Sequence, residues 1–420
     1  MGRVGGMPFR VDFAPTATDE AEQVLRTLFG PDSPPDPYPL FARLRELAPV
    51  HRSPALGAVV LTRFADCGRV LGDTANFRVV DAAWRDEHTP DWRDSNAQVF
   101  LSALLAWRNP PEHTRLRRLL TRDFTVRRVE ALRPAVRRCV DAALDRLAAD
   151  GAGADLVDTV LYPVTMTVIS ELIGVPEADR PRFRELVDAV GRFLDPQADA
   201  ATKARGDAAA LEYRAYFQRL IEARRREPRD DLASALLAKR AADPDQLGDE
   251  ELVDSLIVLF GGGFETTAGV LGNGLEVLLR DRVQWARLVA DPELADSAVE
   301  ELVRWDTAGQ LGQRVAVAEA EVGGLTVHAG ESVMILTGAA NRDPARFAEP
   351  DRFDIGRADG RSLSFGHGIH LCLGAALARL EMTTLLGALV ARFPELRLSG
   401  PAVRRPTVAL RGLSGLPVRF

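Results

Sequence analysis

Phe365-Gly366-His367-Gly368-Ile369-His370-Leu371-Cys372-Leu373-Gly374 is a glycine-rich loop that runs straight into an Ala/Leu-rich stretch, Leu373 to Phe393, with helical periodicity. Gly366 and Gly368 allow tight turns and a close approach of backbone to a flat ligand. The helix beginning near Leu373 aims its unpaired N–H groups and positive dipole end at the Cys372 sulfur, an environment that favours thiolate over thiol. Most lone cysteines are buried and inert. Taken from its residues alone, Cys372 stays open between that fate and a ligating one.

Outward from this loop, the coil Asn341 to Arg357 comes first, and before it Arg314 to Val322, Leu325 to Val327 and Ser332 to Leu336 alternate or are β-branched. Gly323-Gly324 and Gly330 separate them, so a small antiparallel sheet is predicted. From about Pro110 to Leu302 the pattern is helical, broken at Gly174-Val175-Pro176, Asp195-Pro196 and Asp243-Pro244. Nearer the start, Leu40 to Leu47 has helical periodicity and Ala58 to Thr62 reads as a strand, while residues 1–20 are a candidate for disorder. No Ser/Gly linker, low-complexity tract or internal repeat divides the 420 residues. One domain, 1–420, mainly α with small antiparallel β-sheets (α+β), is therefore predicted.

The formal net charge of -7 argues against a surface built for nucleic acid, although it leaves room for a local basic face. Cys67, Cys139 and Cys372 are an odd, widely spaced set that suits neither a disulfide framework nor a clustered zinc site, so a reducing cytoplasm is expected. Cys67 and Cys139 read as inert. The N-terminus lacks the apolar core of a secretion signal, and Gly6 stands where a myristoylation signal wants Ser or Thr. Val160 to Val175, read as the most apolar long window, contains Pro163, Ser170 and Glu171 and falls short of the roughly 20 apolar residues that cross a bilayer. A core helix, with no membrane partner, is the expectation.

Three more stretches stand out. Ser255 to Leu271 reads as the middle of a long apolar helix, 248–280, that carries Gly261-Gly262-Gly263 and then Phe264-Glu265-Thr266-Thr267. Each helical glycine costs about 1 kcal/mol relative to Ala, so something must compensate; close packing against a neighbouring helix is one reading, with Thr266 and Thr267 bonding back to the previous turn. Glu301-Leu302-Val303-Arg304 sets opposite charges three apart on one helical face, by itself a surface pair of about 0.2–0.5 kcal/mol. In Asn109-Pro110-Pro111-Glu112-His113-Thr114-Arg115-Leu116-Arg117, His113 and Arg117 share a face, with Arg115, Arg118 and Arg122 roughly opposite.

The loop quoted first matches Phe-Gly-x-Gly-x-His-x-Cys-Leu-Gly at every specified position and so resembles the haem-binding signature of the cytochrome P-450 superfamily, in its soluble, bacterial, ferredoxin-dependent form. The resemblance implies that fold, a triangular prism of helices around a buried haem b, and a haem-thiolate monooxygenase. It implies Cys372 as the axial ligand in loop 365–374, with Phe365 beside the sulfur, Gly366 and Gly374 against the cofactor and His370 near a propionate. Thiolate ligation pushes electron density onto iron and favours cleavage of an O–O bond. The 248–280 helix resembles the family's distal, oxygen-binding helix through Gly262, Gly263, Glu265 and Thr266, which implies proton delivery by the acid and the alcohol. Glu301 and Arg304 resemble the Glu-x-x-Arg motif, with Arg352 expected to complete a buried ion network that braces the haem loop. The 109–117 stretch, with Asn109 in place of the commoner Asp, resembles the approach to the propionate-contacting helix. His113, Arg117, Arg314 and His370 are then the cationic partners that two buried propionates need. Arg115, Arg118 and Arg122 fall on the face expected to receive an acidic ferredoxin, fed by a ferredoxin reductase and NAD(P)H.

Two positions depart from the family. Ala308-Gly309 stands where Pro and a branched aliphatic residue are common, and Gly261 replaces an expected side chain. Both are read as leaving space near the iron, and Val258, Gly261, Gly262, Ala308 and Gly309 are taken as substrate-pocket residues. Residues 79–107, with Trp84, Trp92, Phe100, Leu101, Leu104 and Leu105, are expected to form the pocket lid. The reaction implied inserts one oxygen atom of O2 into a C–H or C=C bond of a small hydrophobic substrate, a secondary-metabolite intermediate such as a polyketide macrolide. A peroxide-driven peroxygenase is less favoured because Glu265 and Thr266 keep the acid and alcohol together. A non-catalytic haem-fold module that recruits a carrier protein is less favoured still, because the haem loop and that pair are both intact.

Overall fold

Residues 17–30, 33–151, 153–195 and 198–420 are described by a computed structural model. The expected disorder of residues 1–20 lies outside the described residues over 1–16 and is corrected over 17–20, which open the helix Ala17–Phe29. Ala21, Leu25 and Leu28 recur on one face of that helix and pack with Phe41 and Leu44 of the next, Tyr38–Leu47.

The strands are β1 (Val50–Ser53), β2 (Ala58–Leu61), β3 (Phe77–Arg78), β4 (Leu311–Ala316), β5 (Ala320–Val322), β6 (Leu325–Val327) and β7 (Ser332–Leu336), followed by short C-terminal pairs. Five of them form one sheet in the order β1-β2-β7-β4-β3. Its neighbours are antiparallel except β2 and β7, which run parallel with Ala58 opposite Ser332. The largest sheet is therefore mixed: β2 and β7 lie far apart in the chain and meet through a long crossover, whereas a tight turn would have forced antiparallel pairing. The stretch Arg314 to Val322, expected as one strand, is split, because β4 ends at Ala316 and β5 turns away to pair with β6.

Between β3 and β4 the chain is helical, organised on Asp249–Arg280, a helix of 32 residues. Leu252, Leu256, Phe260, Phe264, Leu271 and Leu275 are buried along it, the pattern of a helix enclosed on all sides. Among the described helices this one is long and apolar enough to cross a membrane, yet 72% of its apolar window is buried inside the protein. The most apolar window thus shifts here from Val160 to Val175, whose helix Tyr162–Ile173 packs against it. The helix after the cysteine loop runs Ala375–Arg392 and packs on Arg133–Asp150 and Ala295–Trp305. In the 79–107 region the helix Asn96–Ala103 docks on Ala200–Arg226, where Asp207 accepts hydrogen bonds from the Ser95 hydroxyl at 2.7 Å and the Ala97 N–H at 2.8 Å.

Candidate active site

The cysteine loop closes on itself where the Cys372 N–H donates to the Phe365 carbonyl at 2.7 Å. Gly366 and Gly368 have φ of 75° and 70°, in the left-handed region. A Cβ at Gly368 would stand 2.8 Å from the Leu71 carbonyl oxygen, so only glycine fits this turn. Cys372, Phe365 and Gly374 line a cavity of about 370 Å³. Val258, Gly262, Gly263, Thr266 and Val270 from the Asp249–Arg280 helix also line it, as do Ala308 and Gly309. A larger cavity, about 680 Å³, shares Arg314 and His370 with it and reaches Val79 to Ala83 and Trp107.

Cys372 lines the cavity and is exposed there. Burial pushes its thiol up, against the Gly374 N–H, the guanidinium groups of Arg117 and Arg379 and the Ala375 N–H. The backbone and charge effects have the sign read from the sequence, but desolvation outweighs them. A coordinated metal would add positive charge at the sulfur and favour thiolate.

His113, Arg117, Arg314 and His370 converge on the same cavity. The rings of His113 and His370 lie 4.3 Å apart, and neither nitrogen of the buried His113 has a hydrogen-bond partner. Arg314, also buried, donates to the neighbouring Gln313 carbonyl at 2.8 Å and has no carboxylate partner among the described residues. Burial pushes His113 down to about 4, helped by Arg117 and Arg314, and His370 down to about 3, helped by Arg314, His113 and Arg117. Four basic groups gathered without an anion leave buried polar atoms unsatisfied, which is unfavourable. A planar apolar ligand carrying two carboxylates would give these basic groups, the unpartnered His113 among them, the anionic partners they lack. The residues present fit haem.

Thr266 lines the cavity, its hydroxyl donating to the Gly262 carbonyl one turn back at 2.8 Å. Glu265 does not line it. Its carboxylate is buried elsewhere, accepting from the Tyr162 hydroxyl at 3.0 Å and from Arg405. Adjacent residues of a helix point about 100° apart, so the acid and the alcohol do not share a face; the expected pairing of Glu265 with Thr266 in the pocket is corrected. Gly261 is corrected for the same reason. A Cβ there would meet the Tyr213 hydroxyl at 3.1 Å on the Ala200–Arg226 helix, whereas one at Gly262 or Gly309 would meet nothing within 4 Å. Gly261 serves helix packing, and Gly262 and Gly309 open the cavity.

Arg304 grips Glu301 through both carboxylate oxygens, at 2.7 and 2.9 Å, and donates to the carbonyls of Asn341 and Pro350. Arg352 does not join them. It is exposed and pairs with Glu349 at 3.0 Å; the second arginine on Glu301 is Arg357, at 3.1 Å. Four residues of coil lie between the two arginines, and no local periodicity marks which one folds inward. Asn341 carries the network to the cysteine loop by donating to the Ser364 hydroxyl at 2.8 Å and accepting the Leu363 N–H at 2.8 Å.

On the Glu112–Thr121 helix, Arg118 and the following Arg122 are exposed, but Arg115 is not free: it forms a two-pronged pair with Glu251. The expected three-arginine face is corrected to two. Asn109 accepts the Val79 N–H at 3.1 Å and donates to the Val79 carbonyl at 3.0 Å, tying the start of the 79–107 region to this helix.

A family model for Cytochrome P450 matches residues 81–290 and 284–400. This chain belongs to the cytochrome P450 family. Cytochrome P450 monooxygenase PikC of Streptomyces venezuelae is 40% identical to it over 398 residues, spanning 93% of this chain and 92% of that protein. Mycinamicin IV hydroxylase/epoxidase of Micromonospora griseorubida is 40% identical over 386 residues, spanning 90% and 94%. The crystal structure of P450BioI in complex with hexadec-9Z-enoic acid ligated acyl carrier protein has a TM-score of 0.85 at 33% identity, covering 92% of this chain and 98% of that one. This cytochrome P450 is a monooxygenase whose cofactor is haem with an axial cysteine thiolate; it acts on a hydrophobic substrate with O2 and electrons from redox partners.

Proposed function

We propose that this cytochrome P450 oxygenates a bulky secondary-metabolite intermediate of the polyketide macrolide type, in the cytoplasm, with electrons passed from NAD(P)H through a ferredoxin reductase and an acidic ferredoxin. The carrying observation is the open wall at Gly262 and Gly309, where an added Cβ would meet nothing within 4 Å. Relatives bear names that fit: besides the mycinamicin IV enzyme, 6-deoxyerythronolide B hydroxylase of Saccharopolyspora erythraea is 37% identical over 404 residues.

Bound haem supplies the oxygen-activating chemistry. Cys372 would be its axial ligand, with Phe365, Gly366 and Gly374 around it, and His113, Arg117, Arg314 and His370 would take the propionates. The Thr266 hydroxyl spends its proton on Gly262, so its lone pairs are left to accept from water in the cavity, holding a water-borne proton at Oγ1. Val258, Ala308 and Gly309 bound the substrate. Residues 79–107 act as the lid over it, and Arg118 and Arg122 receive the ferredoxin.

The test is a titration of the holoenzyme with macrolides, terpenes and fatty acids, following the low-to-high-spin change of the haem spectrum. A macrolide should give the largest change at the lowest concentration. A terpene or fatty acid that outdoes every macrolide overturns the substrate class while leaving the monooxygenase in place.

A further inference from the structure

Asp306 has no part in the roles above. It follows the Ala295–Trp305 helix, stands two residues before Ala308, and is buried. Its carboxylate accepts from the Tyr38 hydroxyl at 2.9 Å, from Arg411 through both oxygens at 2.9 and 3.1 Å, and from Gln310 Nε2 at 3.2 Å. Gln310 Nε2 also donates to the Thr307 carbonyl at 2.8 Å, and the Arg411 N–H donates to the Ala308 carbonyl at 2.8 Å. One carboxylate thus ties both ends of the 306–310 segment.

Thr307, Ala308 and Gly309 line the cavity that Cys372 also lines. Trp305 and Asp306, next before them, line a second cavity of about 530 Å³ with Tyr38, Asn273, Arg404 and Arg411, and the two cavities share no lining residue. The segment therefore runs between two cavities. Close packing fixes a chain where its neighbours fill the space around it; where cavities adjoin it, its hydrogen bonds must do so. Ala308 stands where the family commonly has proline, whose ring would restrict the backbone. A Cβ at Gly309 would meet nothing within 4 Å, so no close side-chain neighbour stands there either. The remaining ties are a backbone bridge from Gly309 to Leu410 and the Gln310 N–H, which donates to the Ala409 carbonyl at 3.1 Å. Both lead into the loop that Arg411 anchors on Asp306.

We propose that Asp306 is a positioning residue for the substrate wall: its pairing with Arg411 and Tyr38 sets where Ala308 and Gly309 stand, and so how bulky a ligand reaches the iron. Tyr38, Asp306 and Arg411 act from outside, since none of them lines that cavity. The proposal rests on the reading of Ala308 and Gly309 as wall and is independent of the substrate class.

The test uses the haem-loaded protein and two iron-ligating probes, imidazole and a triaryl-substituted imidazole, followed by the Soret shift. Tyr38→Phe removes the hydroxyl and keeps the ring, whose centroid lies 3.5 Å from the Arg342 guanidinium. The dissociation constant of the triaryl probe should change about threefold or more in Tyr38→Phe, the scale of one lost hydrogen bond, and further in Asp306→Asn. That of imidazole should stay within about twofold. Unlinked sites multiply to within about twofold, whereas Tyr38→Phe combined with Gly309→Ala should depart from the product of the single effects by about threefold or more. Unchanged triaryl binding in both hub variants overturns the proposal. Equal losses for the two probes overturn it in favour of a role in stability alone, and a multiplicative double variant shows that Tyr38 and Gly309 act separately, which also overturns it. Asp306→Asn strands the buried Arg411 charge; if that variant loses haem, Tyr38→Phe and the double variant decide. A Gly309→Ala variant that binds the triaryl probe as wild type does removes the wall reading and the proposal with it. If the probes respond as expected while a terpene or fatty acid outdoes every macrolide, the substrate class has failed and the placement of the wall by Asp306 stands.

Discussion

Arg357 donates its Nε–H to Glu301 Oε2 at 3.1 Å, the same oxygen that accepts from Arg304 at 2.7 Å. One carboxylate thus holds two guanidinium groups, and the exposures of the three side chains, 0% for Glu301, 2% for Arg304 and 9% for Arg357, put the cluster out of reach of solvent screening. Arg357 also donates to the carbonyls of Ala348, Glu349 and Arg352. The coil before the cysteine loop is therefore wrapped around Arg357, and Arg352 contributes its backbone to the cluster.

Glu301→Ala should lower stability by about 3–5 kcal/mol, because it strands buried charges. Arg357→Ala leaves the Glu301 to Arg304 pair in place and removes the coil's hydrogen bonds, for a smaller loss of about 1–3 kcal/mol. Arg352→Ala should stay within about 0.5 kcal/mol of the wild type. Thermal midpoints and haem retention on heating measure the series; a larger loss in the Arg352 variant than in the Arg357 variant would reverse the assignment.

Thr266→Ala should keep its haem but divert reducing equivalents into peroxide, because the hydroxyl's proposed role is to hold water and its hydrogen bond stays within its own helix. Glu265→Gln behaves differently. It takes the charge from a buried partner of Arg405 and should act first on stability, lowering the thermal midpoint. Peroxide yield and melting, measured on both variants, separate the two residues.

The haem-free protein should lose stability on acidification through His113. An unfolded histidine titrates near 6.5, whereas His113 in the folded chain is pushed down to about 4, first by burial and then by Arg117 and Arg314. The unfolded chain therefore binds the extra proton first, so this contribution is complete above about pH 6.5 and is lost as pH falls toward 4. In the proposed arrangement, haem propionates beside His113 would favour its charged form, so the holoprotein should lose less over the same window. Melting of wild type and His113→Gln, each with and without haem, reads the difference; identical acid profiles for the two haem-free proteins would remove His113 as the cause.

Charge reversal at Arg118 and Arg122 should slow reduction by ferredoxin, with the wild-type rate falling as salt rises, because exposed complementary charges act on association. Reversal at Arg115 should instead cost stability, since it sets two acids against each other at Glu251. Stopped-flow reduction over a salt series checks the first, and a salt-independent wild-type rate would leave Arg118 and Arg122 as a solvated face.

The cysteine loop was legible because its requirements are local: Gly366 and Gly368 need positive φ, and His370 and Cys372 keep a fixed spacing around them. The long helix was legible from its apolar run. What the sequence could not show is which way a residue points once helices pack. Glu265 and Thr266 are neighbours in the chain and part company in space, and the partners that hold Glu265 away come from Tyr162, far upstream, and Arg405, near the C-terminus. Arg352 and Arg357 differ only in how a coil folds.

Gly309 and Gly261 give the sharpest test of the substrate wall. A Cβ at Gly309 meets nothing within 4 Å and projects from a residue that lines the cavity, so Gly309→Val should fold normally, shrink the space and weaken binding of a large substrate. Overpacking costs of about 1–3 kcal/mol are expected if the ligand cannot shift. Small azoles that ligate iron directly need less of that space and should bind almost as before. At Gly261 the same substitution drives a side chain toward the Tyr213 hydroxyl, which donates to the Ile257 carbonyl at 3.3 Å. Gly261→Val should therefore lower the thermal midpoint and change the affinity of large and small ligands alike. If Gly309→Val binds the large substrate as tightly as wild type, the open wall at this position is not where substrate rests, and the inference of a bulky substrate loses its structural support.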